Sequence, residues 1–305
     1  MQKKALITGA SGFLGSIISD SLMNLNYQIK TLGKKKENDF SVDLTEENLI
    51  FQITETFDVI IHAAGKAHSV PTTQSEKEAF YKTNFEGTKQ ICNLLSFSNH
   101  IPKSFIFISS VSVYGVDEGE LISEEHSLNG TNPYAQSKIL AEEWLLQWAK
   151  EYGVILSILR LPLLVGPNPP GNLGLMIKGI RSGRYLSIGK ANAKKSMILA
   201  EDLGNIIPKL AETGGVYNLT DGYHPSFGEL ENLISSTLGK KPPLKIPQSM
   251  AMIIALIGNF LGEKSPINRD KLKKINSSLT FDDSKARKIL GWQSTPVIKK
   301  LPYIL

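Results

Sequence analysis

Thr8-Gly9-Ala10-Ser11-Gly12-Phe13-Leu14-Gly15 restricts what this chain can become more than any other stretch. It follows the apolar run Ala5-Leu6-Ile7 and precedes a helical pattern marked by Ile17, Ile18, Leu22 and Leu25. Glycines at a strand-to-helix junction let the backbone turn tightly and approach a ligand closely. The helix that follows offers unpaired N–H groups and the positive end of its dipole, which together suit a pyrophosphate. The plain alternative for such a spacing is a tight turn. Its place at the head of a βαβ pattern favours dinucleotide binding, with contacts from Gly9, Ser11, Gly12, Phe13 and Leu14.

The first half of the chain alternates short apolar runs with helical periodicity, which predicts a doubly wound parallel α/β sheet. Strands are predicted at 4–8, 27–32, 58–62, 104–109 and 154–159, with a further one at 216–220. Tyr81, Phe85, Thr88, Ile91, Cys92 and Leu95 mark one later helix. Another is predicted over 133–152, with Asn132 as its N-cap, Pro133 in its first turn and Gly153 at its end. After Arg160 the texture changes, and Gly166-Pro167-Asn168-Pro169-Pro170-Gly171 reads as an irregular loop. Pro and Gly cluster again at 239–243 and 262–266. The expected organisation is a Rossmann domain over 1–165 and a smaller α+β substrate-binding lobe over 166–305, partly interleaved with it.

Length and composition exclude several classes. A chain of 305 residues with 41% hydrophobic content buries a substantial core, so neither a disordered protein nor a disulfide-stapled miniprotein fits. Lys and Arg number 34 against 29 Asp and Glu, a net charge of +5. That surplus suits anionic small molecules or an anionic surface and is too small to argue for nucleic acid. The single cysteine, Cys92, excludes an internal disulfide and suits a reducing compartment. The first apolar run is too short for a signal-peptide core, so a cytoplasmic location is expected. The longest apolar stretch, 250–261, is interrupted by Gly258 and Asn259 and falls short of the roughly 20 residues a spanning helix needs. It reads first as a buried or surface-docked helix. A membrane-surface contact, helped by Lys264 and the basic stretch 269–274, is the second reading.

The second predicted strand ends Leu32-Gly33-Lys34-Lys35-Lys36. An NAD-selective site carries Asp or Glu near this point to hold the ribose hydroxyls. With no carboxylate at the turn and three cations after it, NADP(H) is favoured, NAD(H) remains possible, and a solvated turn is the plain alternative. Asp43, followed by Leu44, is placed to meet the adenine amino group or to be an exposed loop acid. His62-Ala63-Ala64-Gly65 closes a strand with residues small enough for a flat cofactor to lie against the backbone. His62 itself reads as a packed strand-end residue, and His68 in the following loop as a possible substrate contact. Ser109-Ser110-Val111-Ser112-Val113-Tyr114-Gly115 ends another strand, at the edge where open α/β sheets bind ligands. Tyr134 and Lys138 stand four apart on the predicted helix and so share a face. A nearby ammonium is expected to lower the phenol pKa and ease proton exchange with a carbonyl, while a serine hydroxyl holds the same oxygen.

These residues resemble the extended short-chain dehydrogenase/reductase family, in its sugar-nucleotide epimerase/dehydratase group. The resemblance covers nearly the whole chain: Gly9, Gly12 and Gly15, Asp43-Leu44, the segment 62–65, Asn84 with Gly87-Thr88, Val113-Tyr114-Gly115, Tyr134 with Lys138, and Arg160 followed by Gly166-Pro167. It implies that Ser110 is the catalytic hydroxyl, Tyr134 the acid/base and Lys138 the group that holds the nicotinamide ribose. Implied cofactor contacts are the glycine loop, Lys34, Asp43, Leu44, Ala63, Ala64, Gly65, Asn84, Tyr134, Lys138 and Leu161. Implied substrate contacts are Ser110, Ser112, Asn172 and Lys195. Asn172 looks like the loop asparagine that meets a nucleotide diphosphate, and Lys195 falls where many members carry a diphosphate-binding Arg. Many 4-epimerases carry Asn three residues after the Arg of this strand, whereas here Arg160 is followed by Leu161-Pro162-Leu163.

The pattern looks most like bacterial 4-ketoreductases that make UDP-N-acetylquinovosamine-type sugars. The expected activity is NADP(H)-dependent reduction of a UDP-linked 4-keto-6-deoxy-N-acetylhexosamine for surface polysaccharide synthesis. A 4-epimerase with tightly held NAD uses the same parts and is the first alternative. A non-catalytic NADP-binding scaffold is the second. A dehydratase fits less well, because Val111-Ser112 stands where such enzymes place an acidic pair. A homodimer is a family habit.

Overall fold

The computed structural model describes residues 2–46, 49–260 and 269–305. Lys264 and the 262–266 cluster lie outside the described residues. In chain order the strands are β1 (Lys4–Thr8), β2 (Gln28–Gly33), β3 (Phe40–Ser41), β4 (Val59–His62), β5 (Ser104–Ser110), β6 (Gly119–Ile122), β7 (Ile155–Leu161), β8 (Leu163–Val165), β9 (Leu186–Ile188), β10 (Met197–Leu199), β11 (Gly215–Asn218), β12 (Leu244–Ile246) and β13 (Leu279–Phe281). The helices are α1 (Phe13–Asn24), α2 (Gln74–Tyr81), α3 (Gly87–Phe97), α4 (Pro133–Tyr152), α5 (Gly171–Arg181), α6 (Ala200–Thr213), α7 (Phe227–Thr237), α8 (Gln248–Phe260), α9 (Arg269–Asn276), α10 (Ser284–Leu290) and α11 (Val297–Lys300).

Seven strands form one parallel sheet in the order β11-β7-β5-β4-β1-β2-β3. The doubly wound expectation therefore holds. The strand residues explain why both faces are covered. Ala5 and Ile7 of β1, Val59 and Ile61 of β4, and Ile106 of β5 enter one apolar layer with α1, α6 and α10. Their alternates Leu6, Ile60, Phe105 and Phe107 enter the other, with α3 and α4. A parallel sheet needs such near-continuous apolar strands because helices pack on both sides.

Two segments depart from the sequence reading. The strand expected at 216–220 leaves the ladder after Asn218, because the Asp221 N–H bonds to the Met197 carbonyl (2.7 Å) and draws the chain toward β10. The stretch read as loop through Gly171-Asn172 becomes helical at Gly171, with Pro170 as N-cap. Leu173, Met176, Ile177 and Ile180 supply its buried face, and that 3–4 spacing overrides the local Gly and Pro signals.

The later part of the chain builds a second core from α5, α7, α11, β8 and β10. The strands outside the large sheet pair two by two: β8 with β10, β9 with β12, and β13 with β6 from the first half of the chain. Residues 200–218 nevertheless return to the large sheet, α6 lying on α1 and β11 forming its edge. No described helix is long and apolar enough to cross a membrane.

The α1–α6 contact depends on Gly204, where an added Cβ would sit 2.1 Å from the Ser21 Cβ. Gly204→Leu is expected to force the two helices apart and lower unfolding free energy by about 1–3 kcal/mol. Urea titration followed by circular dichroism reads this directly.

Candidate active site

The glycine loop is built for close approach. Gly9 has φ +71°, and a Cβ there would fall 2.6 Å from the Ala64 backbone nitrogen. At Gly15 it would fall 2.2 Å from the Gly9 carbonyl oxygen. The loop closes through Gly12 N–H to the Gly9 carbonyl (2.9 Å), and α1 begins from Gly12 without a side-chain cap. The first-turn N–H groups of α1 thus lie beside the carboxyl ends of β1 and β4, a fit for the pyrophosphate of a dinucleotide. Ser11 is exposed there, Phe13 packs near Gly166, and Leu14 is buried.

Behind the loop, Thr8 Oγ1 accepts from Ala64 N–H (3.2 Å) and meets His62 Nδ1 (2.7 Å). His62 Nε2 meets Thr88 Oγ1 (3.0 Å). Burial first, then the Lys138 charge, pushes the His62 pKa down to about 3, so it is a neutral packing residue. Ala63, Ala64 and Gly65 extend from β4 as partly or fully open backbone. Asn84 lies in a π-helical turn (Lys82–Glu86), fully buried. Its amide accepts from Lys66 N–H (2.7 Å) and donates to the Lys66 carbonyl (3.1 Å) and Ser137 Oγ (3.0 Å). The side chain read as a cofactor contact is therefore spent on holding the Gly65-Lys66 turn against α4.

Asn132 caps α4 by accepting from Ala135 N–H (2.9 Å), and Pro133 fills its first turn, as the sequence predicts. This helix brings Tyr134 and Lys138 to the end of β5. The Tyr134 phenol and the Ser110 hydroxyl lie near each other. Burial pushes the Tyr134 pKa up and the Ser110 hydroxyl pulls it partly back. The expectation of an acidified phenol is corrected: Lys138 is directed instead at the Ile108 carbonyl (2.8 Å) and over the Phe107 ring (4.5 Å). Burial lowers the Lys138 pKa to about 8 against the pull of Glu142. Its Nζ would lie 3.4 Å from a Cβ at Gly65, so the ammonium borders the same opening as the glycine loop. Ser112 joins through a hydroxyl–hydroxyl bond with Ser110 (3.2 Å). Leu161 is buried directly opposite Ser110 in the β5–β7 ladder.

Glu142, which the sequence reading passed over, sits one turn beyond Lys138 on the same helical face and is 1% exposed. It accepts from Arg160 Nη2 (2.7 Å) and Nε (3.2 Å), and from Ser109 Oγ. Arg160 Nη1 continues to the Tyr114 hydroxyl (3.3 Å) and the Glu124 carbonyl (3.2 Å). Tyr114 donates to Asn218 Oδ1 (2.7 Å), and Asn218 donates to the Ile122 and Asp282 carbonyls. One polar chain thus runs from α4 beneath Ser109 and Ser110 to the β6–β13 pair. The i, i+4, i+8 spacing of Tyr134, Lys138 and Glu142 was the signal for it.

The remaining expected residues lie apart from this centre. Lys34 is exposed after β2 but pairs with Asp43 (3.0 Å), which also accepts from Thr45 N–H and Oγ1. Leu44 is a core residue. Asn172 is exposed on the first turn of α5, beside Gly171, whose added Cβ would meet His68 Nδ1 at 2.9 Å. Lys195 bridges to Leu279 of β13, close to Asp117 and Lys274, and burial lowers its pKa to about 8. No hydrogen bond joins Asn172 to Lys195 among the described residues.

Residues 5–220 match the model of the NAD dependent epimerase/dehydratase family. This chain belongs to that family. It is an NAD(P)-dependent sugar-nucleotide oxidoreductase. Among curated relatives, an N-acetyl-alpha-D-glucosaminyl-diphospho-ditrans,octacis-undecaprenol 4-epimerase of Escherichia coli O157:H7 is 26% identical, over 93% of this chain and 89% of its own. A UDP-glucose 4-epimerase of Vibrio cholerae is 26% identical, over 98% and 93%. Among solved structures, the Thermotoga maritima UDP-glucose 4-epimerase with UDP-glucose superposes with TM-score 0.75 at 19% identity, over 99% and 96%. RMD from Pseudomonas aeruginosa, complexed with NADPH, gives TM-score 0.74 at 22% identity, over 99% and 97%. These two share the family enzyme's fold.

Glu142→Leu leaves Arg160 buried without its carboxylate and is expected to cost about 3–5 kcal/mol, whereas Glu142→Leu combined with Arg160→Met should cost much less. A double-mutant cycle by denaturant unfolding measures the difference.

Proposed function

We propose that this enzyme reduces the 4-keto group of a UDP-linked 6-deoxyhexosamine, with NADPH as preferred donor, during synthesis of a bacterial surface polysaccharide. The turn after β2 carries this reading. β2 ends at Gly33, without a carboxylate to hold a ribose 2′-hydroxyl, and Lys34, paired with Asp43, is followed by Lys35 and Lys36, all three exposed. An acid there would repel a 2′-phosphate, and these cations attract it. Apolar Leu161-Pro162-Leu163 beyond Arg160 supports reduction over epimerisation, since it lacks the asparagine noted in many 4-epimerases.

The hydride that ends on C4 is what NADPH supplies when bound. Ser110 holds the carbonyl oxygen and Tyr134 gives it the phenolic proton as the alcohol forms. Lys138 binds the ribose hydroxyls and keeps a positive charge next to the reacting oxygen. Asn84 and Ser137 fix the turn that borders the site. Lys195 binds the diphosphate, with Asn172 on the neighbouring helix turn as a second donor. A half-buried cation with a lowered pKa gains most from such an anion.

The second reading is a 4-epimerase that recycles bound NAD, and the names of both curated relatives favour it. The two are separated by incubating purified enzyme with a panel of UDP-4-ketosugars and with UDP-glucose and UDP-N-acetylglucosamine. Stoichiometric NADPH oxidation, faster than with NADH and confined to the ketosugars, is expected. Inversion at C4 without net NADPH consumption would establish the epimerase.

Tyr134→Phe should lower turnover by about 10²–10⁴-fold while leaving NADPH binding intact. In the wild type, kcat/KM for ketone reduction should fall as pH rises through about 8, because Lys138 and Lys195 lose their protons there while Tyr134 stays protonated. Titration calorimetry with NADPH and a pH–rate profile check these outcomes.

A further inference from the structure

Residues 239–276 contain eight Lys and Arg against two Asp and Glu, a surplus of six where the entire chain carries +5. Through the middle of this stretch runs α8, which is oriented against the usual rule for a surface helix. Such a helix turns its large apolar side chains inward. Among the described side chains of α8 the inward ones are the small Ala251 and Ala255, fully buried in a cluster with Ile188 and Leu272. The large ones point out: Met250, Met252, Ile253, Ile254 and Leu256 are 37–60% exposed. Leu244 on β12, just before the helix, is 76% exposed. Lys240, Lys241 and Lys245 precede α8 and are exposed, and Lys273 and Lys274 follow it, exposed, on the packed partner helix α9.

We propose that α8 and its basic flanks form a docking surface for an anionic lipid membrane, α8 lying in the interface plane with its aliphatic face in the acyl boundary. An exposed aliphatic face between cations matches head groups that are negative and a layer beneath them that is apolar. The same charge excludes the obvious rival. A second copy on this face would set one cationic surface against another, which opposes self-association. Single-stranded nucleic acid calls for aromatic stacking platforms, and the exposed side chains of α8 are aliphatic. The surface adjoins the lobe that carries Lys195, since Lys274 of α9 pairs with Asp117 (3.2 Å) and its charge acts on Lys195. This proposal stands independently of the reaction assigned above.

The test is co-sedimentation of the full-length protein with phosphatidylcholine vesicles, with and without phosphatidylglycerol, at low and raised salt. Binding to the anionic vesicles that weakens as salt rises is expected, with little binding to the neutral ones. Met252→Ser combined with Ile253→Ser should reduce the partition coefficient about tenfold or more without changing the melting temperature. Lys240→Gln, Lys241→Gln and Lys245→Gln together should weaken binding and flatten its salt dependence. Absence of wild-type binding to anionic vesicles, or equal binding to both compositions, would overturn the proposal whatever the variants do. So would a vesicle-free dimer, seen by analytical ultracentrifugation, that Met252→Ser with Ile253→Ser disperses.

Discussion

The carboxylate of Glu142 fixes the relation between three elements that meet at the site. It takes hydrogen bonds from Ser109 at the end of β5 and from Arg160 at the end of β7, while belonging to α4. Ser109 and Arg160 are themselves opposite one another in the β5–β7 ladder. A buried ion pair contributes little net stability compared with an apolar core, because both charges lose their water. Its geometry is nevertheless demanding: any slide of α4 along the sheet would strand a charge in the interior. Ser110 is one residue beyond one end of this clasp and Lys138 one helical turn before the other. The positions of the Ser110 hydroxyl and the Lys138 ammonium therefore follow from the Glu142–Arg160 pair.

The same clasp reaches the second lobe. From Arg160 the polar chain passes through Tyr114 to Asn218, where it meets backbone carbonyls next to β6 and β13. Tyr114 is fully buried, stacked on Phe281 of β13 and under the Arg160 guanidinium. The sheet edge that carries Ser110 is thus tied to the β6–β13 pair by one continuous network. Lys195 bridges to Leu279 on that same β13 strand, so its distance from the reacting edge is set through this connection.

What the sequence disclosed was local. Alternating apolar runs placed five strands of the large sheet within a residue or two, because a buried strand leaves a short, contiguous signal. The glycine loop and the Tyr134–Lys138 spacing were legible for the same reason: each lies within one turn or one helix. What escaped was settled by distant partners. Glu142 looked like an ordinary helix acid until Arg160, eighteen residues on, was brought beside it. Gly171-Asn172 carried loop composition, yet four apolar residues beyond them had a core to reach. Lys34 was read as one of three cations facing a 2′-phosphate, and its pairing with Asp43 just beyond β3 was not foreseen. Asn84 was read as a ligand contact, and its bonds to Lys66 and Ser137 also brace the turn beside the site.

Burial keeps the Tyr134 phenol from being acidified, and the charges of the site lie elsewhere. Glu142 brings one negative charge, and Arg160 with Lys138 bring two positive ones. Arg160 makes the direct contacts with the carboxylate, so Lys138 is left with a field from Glu142 and a neutral carbonyl ligand. The buried centre therefore carries a net positive charge, and it is burial that lowers the affinity of Lys138 for its proton, against the pull of Glu142. Any negative charge arriving at the opening reverses that. Two unit charges about 6–8 Å apart at an effective dielectric near 20 attract by about 2–3 kcal/mol. In the proposed reduction the oxygen of a ketone accepting hydride gains such a charge only as the reaction proceeds, so the attraction grows toward the transition state and counts as catalysis rather than binding. A phenol kept protonated by burial is the matching partner. It holds its proton in the resting enzyme and releases it when the neighbouring oxygen has become basic enough to take it.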